Sequence, residues 1–324
     1  MNLKKWTSEE IDIVRSYERN HKTRRDIQDD LEKAGYKRSF KAVTRKIENL
    51  GCKKAYGNLD VSKLPKVLIV DIETTPMGVW VWSLGKQYVG HNTIMKTDNN
   101  VPMDWHLLSW SAKWLYDDNV LSDVITPAEA KNREDKRIVS SVWKLLDKAD
   151  IVIAHNGDRF DLPKLSTRFI ANGLNAPLPF KTIDTLKAAR REFSFSSNKQ
   201  DFLTKFLKIE QKLSTDFQLW VDCMRGDKKA LDRMLKYNEH DVIGLEQLYL
   251  KLRPYMRSHP NIAVMMDEDA CTVCGSKSLK ETGKFYYTGT SKFNLYVCGG
   301  CNSPYIRSKE NQASREVSKR SVAR

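Results

Sequence analysis

Two sets of residues in this chain are spaced for chemistry. The first is a pair of acids, Asp71 and Glu73, closing the run Val67-Leu68-Ile69-Val70-Asp71-Ile72-Glu73-Thr74-Thr75. Four apolar residues, mostly β-branched, predict a strand buried on both faces. Side chains alternate along a strand, so Asp71 and Glu73 project from one face and Ile72 from the other. Two neighbouring carboxylates at the end of a buried strand repel each other and are costly to desolvate. A divalent cation removes that cost, and oxygen-only ligands suit Mg²⁺ or Mn²⁺. Two acids merely solvated at a strand end satisfy the same stretch, so acids elsewhere must decide. The second set is Cys271-x-x-Cys274 and Cys298-x-x-Cys301, with 23 residues between the pairs. In a chain expected to be cytosolic, such pairs favour metal over disulfides, with a redox pair as the other reading. Four thiolates close a tetrahedral shell, so the expected ion is one structural Zn²⁺. Its binding supplies folding free energy to a module too small to bury enough surface. Cys52 and Cys223 stand alone and are expected to be small core or surface residues.

The elements that must position the acids alternate in type. Val79–Ser83 and Leu107–Trp114 are aromatic-rich strand candidates, joined through a Gly/Asn-containing connection at residues 85–100. Helical spacing covers residues 135–148, and Ile151-Val152-Ile153-Ala154 predicts a short buried strand. The pattern breaks over residues 155–161 and turns helical again to Ala171. Residues 182–185 predict a last strand, and after Asn198 the chain is helical almost to Arg253. Strands followed by alternation with helices predict an α/β fold, a mixed sheet with helices on its faces. In the last long helix Tyr237 and Asp241 are four apart, hence on one face about a turn apart. An acid there can complete a metal cluster with a phenol beside it.

The ends differ from the middle. The chain has 324 residues and a net charge of +14. Residues 1–66 hold 17 Lys and Arg against 10 Asp and Glu, and residues 261–324 hold 10 against 6. Basic ends around a nearly balanced middle point to a polyanion, nucleic acid first. Residues 1–51 predict three short helices. Thr7 and Glu10 form a capping box, Thr23 and Asp26 can cap the second helix, and Ser39 can cap the third. Val43, Ile47 and Leu50 line one side of the third helix; Lys41, Thr44 and Arg45 line the other, the residue types that reach phosphates and base edges. No run of 18 apolar residues and no apolar leader is present, so the expectation is a cytoplasmic protein that does not span a membrane.

Three acid-bearing motifs occur in order: Asp71-x-Glu73, Asn156-x-x-x-Phe160-Asp161, and Tyr237-x-x-x-Asp241. Together they resemble the exonuclease motifs of the DEDD superfamily, the DnaQ-like branch of the RNase H-like fold. The tyrosine form, as in proofreading domains of B-family DNA polymerases, fits best, because the histidine form would need His where Lys236 stands. The stretches 80–114 and 184–198 look like a phage and bacterial group of predicted 3′–5′ exonucleases. The opening Trp6-Thr7-Ser8-Glu9-Glu10 with three-helix spacing resembles Myb/SANT-like helix-turn-helix modules, without the later tryptophans of the Myb pattern.

The resemblance implies a 3′–5′ exonuclease that hydrolyses phosphodiester bonds with two Mg²⁺ or Mn²⁺ ions. It implies Asp71, Glu73, Asp161 and Asp241 as their ligands, with Asp71 shared. Tyr237 would orient the attacking water, since a phenol with a pKa of about 10 is a poor base at neutral pH. Thr74, Asn156 and Phe160 would shape the pocket for the terminal nucleotide. The partner is nucleic acid, DNA ahead of RNA. The rivals are a non-catalytic DNA-binding regulator or scaffold and a structure-specific endonuclease using the same acids. Other polar residues carry two readings each: His155 as a strand-end hydrogen-bonding residue ahead of a ligand, Asp158 as a rival to Asp161, Asp184 as a support behind the ligands or the start of a turn, and Lys86, Arg190 and Arg191 as phosphate contacts or solvated charges. Trp80, Trp82, Trp110 and Trp114 are expected in the core. The expected layout is a helix-turn-helix-like module at 1–51, a linker at 52–66, an RNase H-like domain at 67–256, a zinc ribbon at 267–306 and a disordered basic tail at 307–324.

Overall fold

The computed structural model describes residues 6–19, 24–50, 63–78, 104–115, 117, 119–209 and 215–311. The expected strand at 79–83, the connection at 85–100, Thr23, Cys52 and Lys86 lie outside them.

Strand β1 (Val67–Thr74) is the centre of a five-stranded sheet. It pairs antiparallel with β2 (Leu107–Trp114), which pairs antiparallel with β3 (Val120–Val124). On its other side β1 runs parallel to β4 (Ile151–Ala154), and β4 parallel to β5 (Lys181–Asp184). The order is therefore β3-β2-β1-β4-β5. The alternation expected of β1 is realised. Leu68, Val70 and Ile72 pack with Ile138, Val142, Leu165 and Phe169, from α5 (Lys136–Leu146) and α6 (Asp161–Ala171). Val67 and Ile69 join the opposite cluster with Val242, Leu245 and Leu248, from α10 (Lys228–Leu252). Covering both faces explains why the run is uniformly apolar. The remaining helices of the domain are α4 (Pro127–Asn132), α7 (Thr185–Glu192), α8 (Gln200–Phe206) and α9 (Phe217–Met224). This is the mixed sheet flanked by helices that the sequence resemblance implied.

One buried acid ties this frame together. The Asp135 carboxylate accepts from the Leu107 backbone N–H at 2.8 Å and from Arg168 Nε at 2.6 Å and Nη2 at 2.7 Å. It thereby joins the start of β2, the start of α5 and the last turn of α6. A second buried pair, Lys113 Nζ and Glu246 at 2.9 Å, joins β2 to α10.

The N-terminal residues form α1 (Ser8–Arg19), α2 (Arg24–Lys33) and α3 (Phe40–Asn49) around Val14, Ile27, Leu31, Val43 and Ile47. The capping box is present: Glu10 accepts from the Thr7 N–H at 2.8 Å and Thr7 Oγ1 from the Glu10 N–H at 3.2 Å. Glu10 is buried and also takes a forked bond from Arg38, which lies over the Trp6 ring. Lys41 and Arg45 are exposed on α3, whereas Thr44 is half-buried with its hydroxyl turned away from solvent.

Two expected boundaries shift. The end of the linker is built into the domain: Leu64 is buried in the core, and Asp150 accepts from the Lys66 N–H at 2.6 Å. At the other end, the segment read as a tail from residue 307 begins as strand. Strands β6 (Leu279–Tyr287), β7 (Lys292–Cys298) and β8 (Pro304–Asn311) form an antiparallel sheet in that order. Pairing through the backbone of β7 does not need the apolar period whose absence suggested disorder. Between domain and ribbon, α11 (Ile262–Met266) buries Ile262 in the same core as α10. Among the described residues no helix is long and apolar enough to cross a membrane.

Candidate metal centre and cleft

Asp71 and Glu73 project from β1 on the side where α10 crosses it, and Asp241 points in from α10. Each of the three offers a carboxylate oxygen within 4.8 Å of the others. Oxygens around one octahedral Mg²⁺ at about 2.1 Å stand roughly 3 to 4.2 Å apart, so the group has the size of a cation cage. Tyr237, one turn before Asp241, is buried with its ring edge-on to Trp220.

The setting of these acids is polar by design of the register. Ser111 lies opposite Asp71 and Ser109 opposite Glu73 across the β1–β2 ladder. Ser109 Oγ donates to Asn238 Oδ1 at 3.3 Å, and Asn238 Nδ2 donates to Asp71 Oδ2 at 2.5 Å. Asn238 is fully buried. It is the residue that sequence reasoning missed. Its position next to Tyr237 was visible, but the partners that give it a role lie on other strands.

Asp161 stands apart from the group of three. β4 ends at Ala154 while β1 continues to Thr74, so the far edge of β1 loses its strand partner there. Asp161, at the first turn of α6, accepts from the exposed edge, taking the Ile72 N–H on Oδ1 at 3.2 Å. Burial pushes its carboxyl up to about 7, and the neighbouring Asp184 charge adds to the rise. The turn that delivers Asp161 starts at Asn156, whose φ of 68° is left-handed. A Cβ on the next residue, Gly157, would lie 2.3 Å from the Ala154 Cβ. Asp184 caps α7 and accepts from the Asn156 N–H at 3.0 Å, so it holds the same turn from the other side.

The remaining polar residues resolve as structure. His155 places its ring nitrogens 2.9 Å from Thr185 Oγ1 and 3.0 Å from the Asn198 carbonyl. Asp158 pairs with Lys187 at 2.6 Å at the surface. Arg191 pairs with Glu192, and Arg190 is exposed. Trp110 is buried and Trp114 packs against the same core, whereas Trp80 and Trp82 lie outside the described residues. Cys223 is a buried core thiol pushed up to about 12 by burial, hence inert.

A cleft of about 510 Å³ opens beyond Thr74, at the end of β1. Thr74, Thr75 and Met77 line one wall, Trp105 and Lys164 another, and Phe217 and Trp220 a third. The Lys164 ammonium lies 3.7 Å from the Trp105 ring centroid and 5.1 Å from that of Phe160. Partial burial lowers its pKa. The cleft thus offers flat rings, the Lys164 cation and the Asp216 carboxylate at the strand end that follows Glu73.

The four ribbon cysteines also converge. Cys271 and Cys301 Sγ are 3.6 Å apart, as are those of Cys274 and Cys298. A tetrahedron with Zn–S near 2.3 Å has edges of roughly 3.8 Å, so the four sulfurs fit one zinc ion and no disulfide. Backbone N–H groups of Val273 and Gly300 point at Cys271 and Cys298 sulfur, at 3.4 and 3.2 Å, which suits thiolates.

Residues 113–253 match the family model RNase_H_2, described as RNase_H superfamily. The chain carries an RNase H-like domain. The matched span begins in β2, so β1 and its two acids precede it. Among solved structures, the family B DNA polymerase from the hyperthermophilic archaeon Pyrobaculum calidifontis is similar over 72% of this chain at 15% identity, with a TM-score of 0.41. The chain spans 33% of that polymerase chain. No curated protein matches this chain in sequence.

Proposed function

We propose that this protein is a metal-dependent 3′–5′ exonuclease acting on a nucleic-acid end, DNA ahead of RNA. The observation that carries the reading is the convergence of Asp71 and Glu73 from β1 with Asp241 from α10, more than 160 residues later in the chain. Nothing in the packing of an RNase H-like sheet requires three acids there, and their mutual repulsion is relieved by a bound cation. Asp71, Glu73 and Asp241 would hold one Mg²⁺ or Mn²⁺, and Asp71 with Asp161 a second. When bound, such ions activate a water and stabilise the leaving oxygen.

The chain's own residues have separable tasks in this reading. Asn238 fixes the Asp71 carboxylate by its hydrogen bond. Tyr237 orients the water that attacks phosphorus; the bond to the 3′ oxygen breaks, and the proton lost by the water ends on that oxygen. The terminal nucleotide enters the cleft beyond Thr74, between the rings of Trp105 and Phe217, with Phe160 on the far side of Lys164 shaping its approach. Asn156 shapes the turn that delivers Asp161. Lys164 meets the phosphate and Lys41, Thr44 and Arg45 of α3 hold the strand at a distance. Zn²⁺ on the four cysteines is structural.

The test is Mg²⁺-dependent shortening of a 5′-labelled single strand with release of mononucleotides, run beside Asp71→Ala and beside circular single-stranded DNA. Stepwise shortening by the wild type alone, with the circle intact, is the expected result. Equal activity in the variant, or cleavage of the circle, refutes the assignment.

A further inference from the structure

The ribbon sheet carries an aromatic strip that its zinc site does not explain. Tyr287 lies opposite Lys292 and Phe285 opposite Asn294 in the β6–β7 ladder, and residues directly opposite share a face. Tyr296 continues that face on β7 and lies opposite Tyr305 on β8. Exposure rises along the strip, from 8% at Tyr296 to 41% at Phe285 and 65% at Tyr287. The inner end is therefore core, and the hairpin end is open. Two cations are laid on these rings. Lys292 Nζ is 3.7 Å from the Phe285 centroid, and the Arg307 guanidinium is 4.8 Å from that of Tyr296.

Large exposed rings cost free energy in water, and small modules conserve apolar area for their cores. Three rings stay exposed at the hairpin end, Tyr286 on the other face, and the two that share a face, Phe285 and Tyr287, call for an occupant. Charge selects its kind: residues 279–311 hold five Lys and Arg against two Glu. The occupant is a polyanion with flat faces. Spacing narrows it further. The Phe285 and Tyr287 centroids are 6.4 Å apart, roughly twice the 3.4 Å rise of stacked bases. Neighbouring rings at that spacing receive bases already drawn out of their stack, which a duplex does not offer. The Lys292 side chain is flexible enough to leave the ring to a base and meet the adjoining phosphate.

We infer that the outer face of the β6–β7 hairpin, through Phe285, Tyr287 and Lys292, is a stacking platform for single-stranded nucleic acid. The inference does not depend on the nuclease reading, because it concerns binding alone. It is tested on the full chain by fluorescence anisotropy with a labelled oligo-dT in magnesium-free buffer. Tyr287→Ser and Phe285→Ser each weaken binding at least fivefold, whereas Tyr287→Phe, which keeps the ring, binds as the wild type. Lys292→Gln lowers the salt dependence by about one charge. Ultraviolet cross-linking of an iododeoxyuridine oligonucleotide to the unaltered chain places adducts at Phe285 or Tyr287. Wild-type affinity in both serine variants, no adduct within residues 279–311, or full rescue by the ringless Tyr287→Leu overturns the proposal. An equal loss for duplex of the same sequence overturns the single-strand assignment.

Discussion

At the scale of single residues, the site depends on which groups fix the acids. Asn238 makes a hydrogen bond to Asp71 from a fully buried position. Partners that orient metal ligands are typically worth 10–100-fold in affinity or activity. Asn238→Ala is therefore expected to raise the Mg²⁺ concentration for half-maximal nuclease activity by about that factor, read from a metal titration. Asp161 sets a pH dependence. Its carboxyl is raised to about 7 by burial, so below that pH it is mostly protonated and cannot take a cation. On the proposed assignment, Mg²⁺ affinity rises as pH increases through 7, and Asp161→Asn removes that step from the titration. Much of this site was legible in the sequence. Strand alternation puts Asp71 and Glu73 on one face, and helical spacing puts Tyr237 beside Asp241. Asn238 was not legible, because its partners Ser109 and Asp71 are separated from it by 129 and 167 residues. The backbone duty of Asp161 was hidden for a related reason: it follows from where β4 stops, a property of the sheet.

At the scale of elements, the tight turn after β4 is the most demanding piece of local structure. Any side chain at Gly157 collides with the Ala154 Cβ at 2.3 Å. Gly157→Ala should destabilise the domain by about 1–3 kcal/mol and displace Asp161, measured as a lower melting temperature together with reduced activity. One buried and one half-buried histidine add an acid liability. His106 sits against Thr75 where β1 ends, and His259 under the Tyr249 hydroxyl at 2.8 Å. Burial lowers both to about 4. The unfolded chain, titrating near 6.5, binds protons that the folded chain refuses. Stability is then lost as pH falls from about 6.5 towards 4, by about 1.4 kcal/mol per pH unit per histidine. Urea unfolding between pH 7 and 4.5 should show this slope, and His106→Gln should reduce it. The elements themselves were legible where apolar residues dominate, as in β1, β4 and α10. β3 was not, because Val120-Leu121-Ser122-Asp123-Val124 is a half-buried edge strand whose Asp123 answers Arg137 on α5. β8 was missed because its composition is that of a tail and its order comes from pairing with β7.

At the scale of the whole molecule, the ribbon and the RNase H-like domain share packing. A Cβ on Gly275, next to Cys274 at a φ of 75°, would meet Leu64 at 2.6 Å, Met266 at 2.8 Å and Ile262 at 3.2 Å. Those residues belong to or pack against the core that holds α10, the helix bearing Asp241. The cysteine knuckle thus rests on the domain, and its collapse would reach Leu64 and Ile262. Four thiolates facing one another repel unless a cation joins them, and structural zinc contributes on the order of 10 kcal/mol to such folds. The purified chain should therefore contain one equivalent of zinc, released in step with four thiols when an organomercurial is added and followed with a metallochromic dye. Cys274→Ser should lower zinc content and the melting temperature of the domain together. A ribbon that melts alone, with the domain transition unmoved, would show that the shared packing carries no coupling. Loss of zinc should also abolish the ring-dependent binding of single strands, since the face bearing Phe285 and Tyr287 exists only while β6 and β7 stay paired. That outcome separates a zinc ion serving as a staple from one taking part in hydrolysis: cleavage of a short strand held in the cleft should fall far less than binding of a long one.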